Sequence, residues 1–257
     1  MFNKLIFILV CVYFLQVTVF EIEVRKTESL FPEPADAKAI VERKILELLK
    51  ESEQDKQKQV RDDIWTCTAL KLGGNITPSI IYHKEAWRLL TSFFLHFNAL
   101  HLIMNCLLIW FYTSKKSDFP NQFYIFSAFN ILCSNITSSL IHPDMLKLGS
   151  SSLSVSLLAY SLYKNLEKSP DFSLFFDLLF LIVFIFQIFN KQIDNVVHLF
   201  GFINTIVYCF FKRKEMQKVY WTLCIGYLLL SGFVLFQTRL SEEQRVAVLI
   251  NYGCYDD

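Results

Sequence analysis

The chain has 257 residues, 53% of them hydrophobic and 16% aromatic, with a formal net charge of +1. Near-neutral charge argues against nucleic-acid binding as the main activity. The apolar residues fall in separated blocks that one soluble core would not require, so the expectation is an all-α polytopic membrane protein, a bundle of about seven transmembrane helices.

Leu5 to Phe20 is an apolar run after Lys4 and reads as a secretory h-region or a short first transmembrane helix. No small-x-small cleavage site follows, since Val17-Thr18-Val19-Phe20 leads straight into Glu21, and this favours an uncleaved anchor over residues 1–20. A charged, partly helical segment, expected to be lumenal, spans 21–72. Within it Asp36 is a candidate N-cap for a helix over Ala37 to Ser52, and Glu51 to Asp63 reads as a solvated continuation. Asn75-Ile76-Thr77 is a glycosylation sequon if this side is lumenal, with Asn75 expected to accept a glycan and Asn135 to escape by lying close to the membrane.

A core over 73–211 then carries helices expected at about 94–113, 121–141, 151–163, 172–190 and 194–211. Residues 212–257 add a further helix at 219–237 and a short tail, where Ser241-Glu242-Glu243-Gln244 resembles a capping box. Lys115 and Lys116, Lys164 and Lys168, and Lys212, Arg213, Lys214 and Lys218 fall on alternate connections. The positive-inside rule makes that side cytosolic, which with Lys4 gives a cytosolic N-terminus and a lumenal or extracellular C-terminus.

The seven cysteines show no paired CxxC spacing and so no zinc or redox signature. Cys11, Cys106, Cys209 and Cys224 lie in apolar runs and read as small packing residues. Cys67 and Cys254 both fall on the lumenal side, which leaves a pairing between them open.

Ser151 opens an apolar run that ends before Lys164. At ~1.5 Å per residue this helix is only ~20 Å long in a hydrocarbon core ~30 Å thick, so Ser151 sits inside the membrane. His101 lies 14 residues before Lys115 and His198 lies 14 residues before Lys212, which puts both at the same depth. A serine cluster in a membrane helix is usually packing or back-bonding to the preceding turn. Two histidines at matched depth, with Asn105 four residues from His101, point instead to a site. His198 is the candidate base for the Ser151 hydroxyl. Gly201, on the same helix face as His198, allows close approach to the serine helix, and His101 with Asn105 can donate to an oxyanion. Asp177 is expected to snorkel to the cytosolic surface, and His96 and Trp87 to anchor their loop at the interface.

Glu85-Ala86-Trp87-Arg88 through His96, followed by His101-Leu102-Ile103-Met104-Asn105, resembles the first loop and second helix of rhomboid intramembrane serine proteases. Gly149-Ser150-Ser151-Ser152 matches the family's GxSG motif in its first three specified positions, and Asp194-Asn195 through His198 and Gly201 matches its histidine motif. The resemblance runs from about Gly73 to Phe211. It implies Ser151 as nucleophile, His198 as general base and His101 with Asn105 at the oxyanion, with Gly149 and Gly201 packing near the site. It implies no metal or cofactor. Substrates would be single-span transmembrane proteins within the lipid bilayer, cut near their lumenal ends in the secretory pathway or at the plasma membrane. The extra helix after the core resembles the eukaryotic secretase-type arrangement.

The chain departs from the family pattern at Ser152, where glycine follows the nucleophile, at Thr205, where a second glycine is usual, and at Ser117, where glutamate is frequent. The alternative is a rhomboid-like protein that binds membrane clients without cutting them. A receptor fits the lysine pattern poorly, a transporter would show internal repeats, and neither HExxH nor an aspartate pair with a glycine-rich motif is present.

Overall fold

The computed structural model describes residues 2–30, 58, 61–114, 121–167, 173–188, 194–211 and 214–238. Among these there is no strand, and one isolated antiparallel bridge joins Asn75 to Lys147. The expected helix over Ala37–Ser52, the capping box at Ser241 and Cys254 lie outside the described residues, as do Lys115, Lys116, Lys168, Lys212 and Arg213. Cys67 is disulfide-bonded. The cysteine expectation holds for Cys209 and Cys224, which are buried, and fails for Cys11, which is exposed.

The first helix, α1 (Phe2–Leu30), continues well past Phe20, because neither glycine nor proline interrupts the chain before Pro32. Its stretch Asn3–Lys26 is long and apolar enough to cross a bilayer. A helix over 61–71, α2, lies against its middle, with the Trp65 ring 5.0 Å from that of Phe20 and 6.1 Å from that of Tyr13. Two short helices follow, α3 (Thr77–Tyr82) and α4 (Arg88–Thr91), then a 3-10 turn over Ser92–Phe94.

The next helix, α5 (Ala99–Ser114), starts later than the apolar pattern predicts, at a 90° bend from the segment Arg88–Phe94. Two local causes are visible. Asn98 Oδ1 accepts the N–H of His101 at 2.8 Å, a helix-capping bond. His96 is also held from α1, where Gln16 Nε2 donates to its carbonyl at 3.0 Å and Gln16 Oε1 accepts its N–H at 3.1 Å.

The remaining helices are α6 (Asn121–Ile141), α7 (Ser151–Glu167), α8 (Ser173–Ile188), α9 (Asn195–Phe210) and α10 (Lys214–Gln237). Of these α10 is long enough to span alone, over Met216–Gln237, whereas Ile125–Ile141, Leu174–Phe186 and Asn195–Phe210 are shorter apolar helices. The short α7 is central and packs on α5, α6, α8 and α9, with every residue from Ser152 to Tyr160 buried. Small hydroxyl side chains at alternate positions let its neighbours approach closely. Toward its C-terminal end an aromatic layer closes the bundle: Phe126 stacks on Tyr208 at 4.2 Å and Phe123 meets Tyr160 at 4.7 Å. Leu235 of α10 packs with Ile80, Leu89 and Ile136, so the last helix also touches the region before α5.

Two sequence-based expectations are overturned here. Asp177 does not snorkel: it is fully buried, and its carboxylate accepts Ser161 Oγ at 2.9 Å and Asn165 Nδ2 at 2.6 Å, both from α7. Internal donors at depth replace the need to reach the surface. Asn75 is not open to a glycan either. Asn75, Ile76 and Thr77 are all buried, the Asn75 backbone pairs with Lys147, and Thr77 Oγ1 donates to the carbonyl of Ser139 at 2.9 Å. Endoglycosidase treatment of the folded protein should therefore leave no mobility shift traceable to Asn75. A shift that vanishes in Asn75→Gln would contradict this packing. Asn135 is buried too, donating to the Leu89 carbonyl at 2.6 Å.

Candidate active site

Three helix starts converge on one point. Ser151 is the first residue of α7, while His101 and His198 lie in the opening turns of α5 and α9. His198 Nε2 stands 2.7 Å from Ser151 Oγ, so the structure brings together the two side chains that the depth argument pairs. The first N–H groups of a helix have no intrahelical acceptors and carry its positive dipole end, which suits a site where negative charge develops.

Two glycines make the approach possible. A Cβ on Gly201 would sit 3.2 Å from the Ser152 carbonyl oxygen, so α7 and α9 touch through backbone at the level of the pair. Gly149 has φ +118°, a conformation that side chains disfavour, and its N–H donates to the Ser92 carbonyl at 2.9 Å. A Cβ there would fall 2.5 Å from Cε1 of His101. That ring also meets His96 edge-on at 5.2 Å and stacks over Phe97 at 6.2 Å.

His96 itself is fully buried with Nε2 3.4 Å from Ser150 Oγ, so it braces the site from within instead of anchoring a loop at the interface. Trp87 does lie at the surface, with the Arg88 guanidinium 4.8 Å from its ring. Arg88 ties this region together by pairing with Glu85 at 2.6 Å and donating to the carbonyls of Leu70 and Gly74.

Asn105 is buried, and its Oδ1 accepts Ser154 Oγ at 3.0 Å while its Nδ2 has no hydrogen-bond partner among the described residues. An unmade buried N–H bond is costly, and Asn105 is one of the residues lining a cavity of about 720 Å³ together with Ser151, His101 and His198. The cavity runs between α5 and α8, past Met104, Leu108, Phe180 and Phe184. His198 Nδ1 likewise has no hydrogen-bond partner among the described residues, so no third group joins the serine–histidine pair there.

Sequence reasoning missed several residues. Lys147, in the loop before Ser151, is buried, and its ammonium donates to the carbonyls of His142 at 2.8 Å and Met145 at 2.9 Å. Burial pushes it down to about 8, against the pull of Asp194 and Asp144. Below pH 8 both folded and unfolded chains hold this proton. Between 8 and 10.5 the unfolded chain holds more of it, so stability should rise with pH across that window, by about 3 kcal/mol in all. Thermal unfolding at pH 7, 9 and 10.5 should show a slope in wild type that flattens in Lys147→Met. Equal slopes would refute this account. Asp194 holds the start of α9 through Ser138 Oγ and lies 3.6 Å from His142 Nδ1. Gln16 and Asn130 were also overlooked. For Asn130 a signal existed: Ser127, Asn130, Ser134 and Ser138 recur at helical spacing and are all buried on α6.

Fold and site together define an integral membrane bundle whose buried helix starts present a serine–histidine pair to a cavity. A rhomboid-domain family model matches residues 83–215, just over half of the chain. Rhomboid-like protease 3 of Toxoplasma gondii is 24% identical over 165 residues, a stretch that covers 59% of this chain and 61% of that relative. No solved structure matches. The chain belongs to the rhomboid family.

Proposed function

We propose that this protein is an intramembrane serine endopeptidase that cleaves transmembrane segments through Ser151 and His198. The observation that carries the reading is the 2.7 Å contact between Ser151 Oγ and His198 Nε2 inside the membrane bundle. As Oγ attacks a peptide carbonyl, neutral His198 takes the hydroxyl proton on Nε2. The imidazolium then passes that proton to the leaving amine nitrogen as the C–N bond breaks, leaving an ester on Ser151. Water, deprotonated by the same nitrogen, hydrolyses the ester and restores the hydroxyl.

The free Nδ2–H groups of Asn105, the backbone N–H at the start of α7 and His101 supply oxyanion donors. The lysine distribution supports a cytosolic N-terminus and a site opening to the lumenal or extracellular side. Single-span helices that unwind near that side are the substrate class, because a helix withholds its carbonyls from attack.

The deciding experiment is fluorophosphonate labelling of the purified full chain, with the modified residue located by mass spectrometry. Label on Ser151, absent in His198→Ala, is expected. Folded protein with no label would leave client binding without cleavage as the function. Asn105→Ala should retain labelling yet slow peptide-bond cleavage by ~10²-fold, the usual worth of one oxyanion donor. Unchanged cleavage would remove Asn105 from the oxyanion site.

A further inference from the structure

The layer just beneath the dyad holds a run of polar groups, buried except for the half-buried Asn204, that the reaction above does not use. Tyr220 Oη of α10 donates to Asn204 Oδ1 of α9 at 3.1 Å, and Asn204 Nδ2 donates to Asn130 Oδ1 of α6 at 2.7 Å. A primary amide has two N–H hydrogens. Asn130 Nδ2 directs them to Ser156 Oγ of α7 at 2.6 Å and to the Gly201 carbonyl of α9 at 3.1 Å. Ser156 Oγ in turn donates to the carbonyl of Ser152 at 2.7 Å, the residue after the nucleophile. Thr205 Oγ1, 3.4 Å from the same amide nitrogen, gives its own hydrogen to Gly201 O at 2.8 Å.

The direction of this run is fixed. Asn130 and Ser156 are each 1% exposed, so water cannot substitute for a lost partner. If the Asn130 amide turned over, its oxygen would face the Gly201 carbonyl and its NH2 would face the donor of Asn204. The Gly201 carbonyl, which can only accept, therefore sets the orientation of Asn130 and through it that of Asn204, whose Oδ1 is left facing the Tyr220 hydroxyl. Hydrogen bonds in such a chain reinforce one another in a low-dielectric interior.

We propose that Asn130 is a positioning residue that fixes the spacing of the serine and histidine helices, and that α10 acts on the dyad through Tyr220 and Asn204. The last helix is then part of what holds the site in register. The catalytic half of this proposal rests on the dyad reading above.

The test compares Tyr220→Phe and Asn130→Leu with Tyr227→Phe in the purified full chain. Tyr227 serves as control because its hydroxyl bonds Thr137, so it too joins α10 to α6, but away from the run. Tyr220→Phe should slow fluorophosphonate labelling of Ser151 and lower kcat about threefold to tenfold, with KM unchanged, as expected for one buried hydrogen bond. Asn130→Leu should lower both further, and Tyr227→Phe should leave them at the wild-type level. Equal losses in Tyr220→Phe and Tyr227→Phe would mean that α10 merely stabilises the bundle, and would overturn the proposal. If wild type does not label, the dyad reading fails. The run is then judged by hydrogen exchange in α7 and α9, expected to quicken in Tyr220→Phe and not in Tyr227→Phe. Exchange that is the same in all three proteins would overturn it.

Discussion

Ser151→Ala and His198→Ala should each lower cleavage by ~10³-fold or more, and the double variant should be no slower than either single one. The reason is mutual dependence: without the imidazole the hydroxyl is a poor nucleophile, and without the hydroxyl the imidazole has nothing to activate. The 2.7 Å contact joins the two directly, and among the described residues no side chain bonds Nδ1 of His198 to share its proton transfer. Cleavage of a fluorogenic transmembrane substrate in detergent or vesicles measures it. A double variant much slower than the singles would show that the two groups act independently. Substantial turnover in Ser151→Ala would point to the adjacent Ser152 as nucleophile.

Gly149→Ala should be nearly as damaging although it changes no reacting group. The substitution places a side chain in a left-handed backbone region, at a cost of roughly 1–2 kcal/mol, and drives a methyl group against the His101 ring. Either the loop or the ring must shift, and a displacement of ~1 Å at a reacting centre can cost ~10²-fold in rate. Labelling of Ser151 should fall by about that factor, together with the melting temperature. A double-mutant cycle separates the two causes. In a His101→Ala background the steric part vanishes, so the stability lost through Gly149→Ala should shrink there. The same loss in both backgrounds would rule out the ring as the obstacle.

Much of this arrangement was legible before any coordinates. Apolar blocks ending at basic residues place Ser151, His101 and His198 at one depth, and the structure sets all three in the opening turns of their helices. That works because in a bilayer the distance to a charged end measures position along the membrane normal. What could not be read are contacts between residues distant in the chain. Gln16 meets His96 across 80 positions, and that contact joins the Asn98 cap in explaining why α5 begins at a right-angled bend. Thr205 is a subtler case. Reading it against the glycine usual there suggests a looser approach of the two central helices. Its side chain is instead fully buried with the hydroxyl satisfied by the Gly201 carbonyl, and the close contact is made one turn earlier, at Gly201. Asp177 misleads for a related reason: a carboxylate near a helix end looks bound for the surface until Ser161 and Asn165 are seen to meet it.

The cavity beside the dyad has a consequence for supply. Hydrolysis consumes a water molecule, and a bilayer interior holds almost none. At ~30 Å³ of liquid per molecule, about 720 Å³ has room for roughly two dozen waters. Its wall is polar where Ser92, Asn98, Asn135, Lys147 and Asp194 line it, and apolar toward Leu108 and Phe180. Such a vessel can store solvent at one end while a hydrocarbon segment lodges at the other. For the proposed hydrolysis, such a store would stand beside Ser151, and a substrate that filled the whole space would choke the very step that releases it.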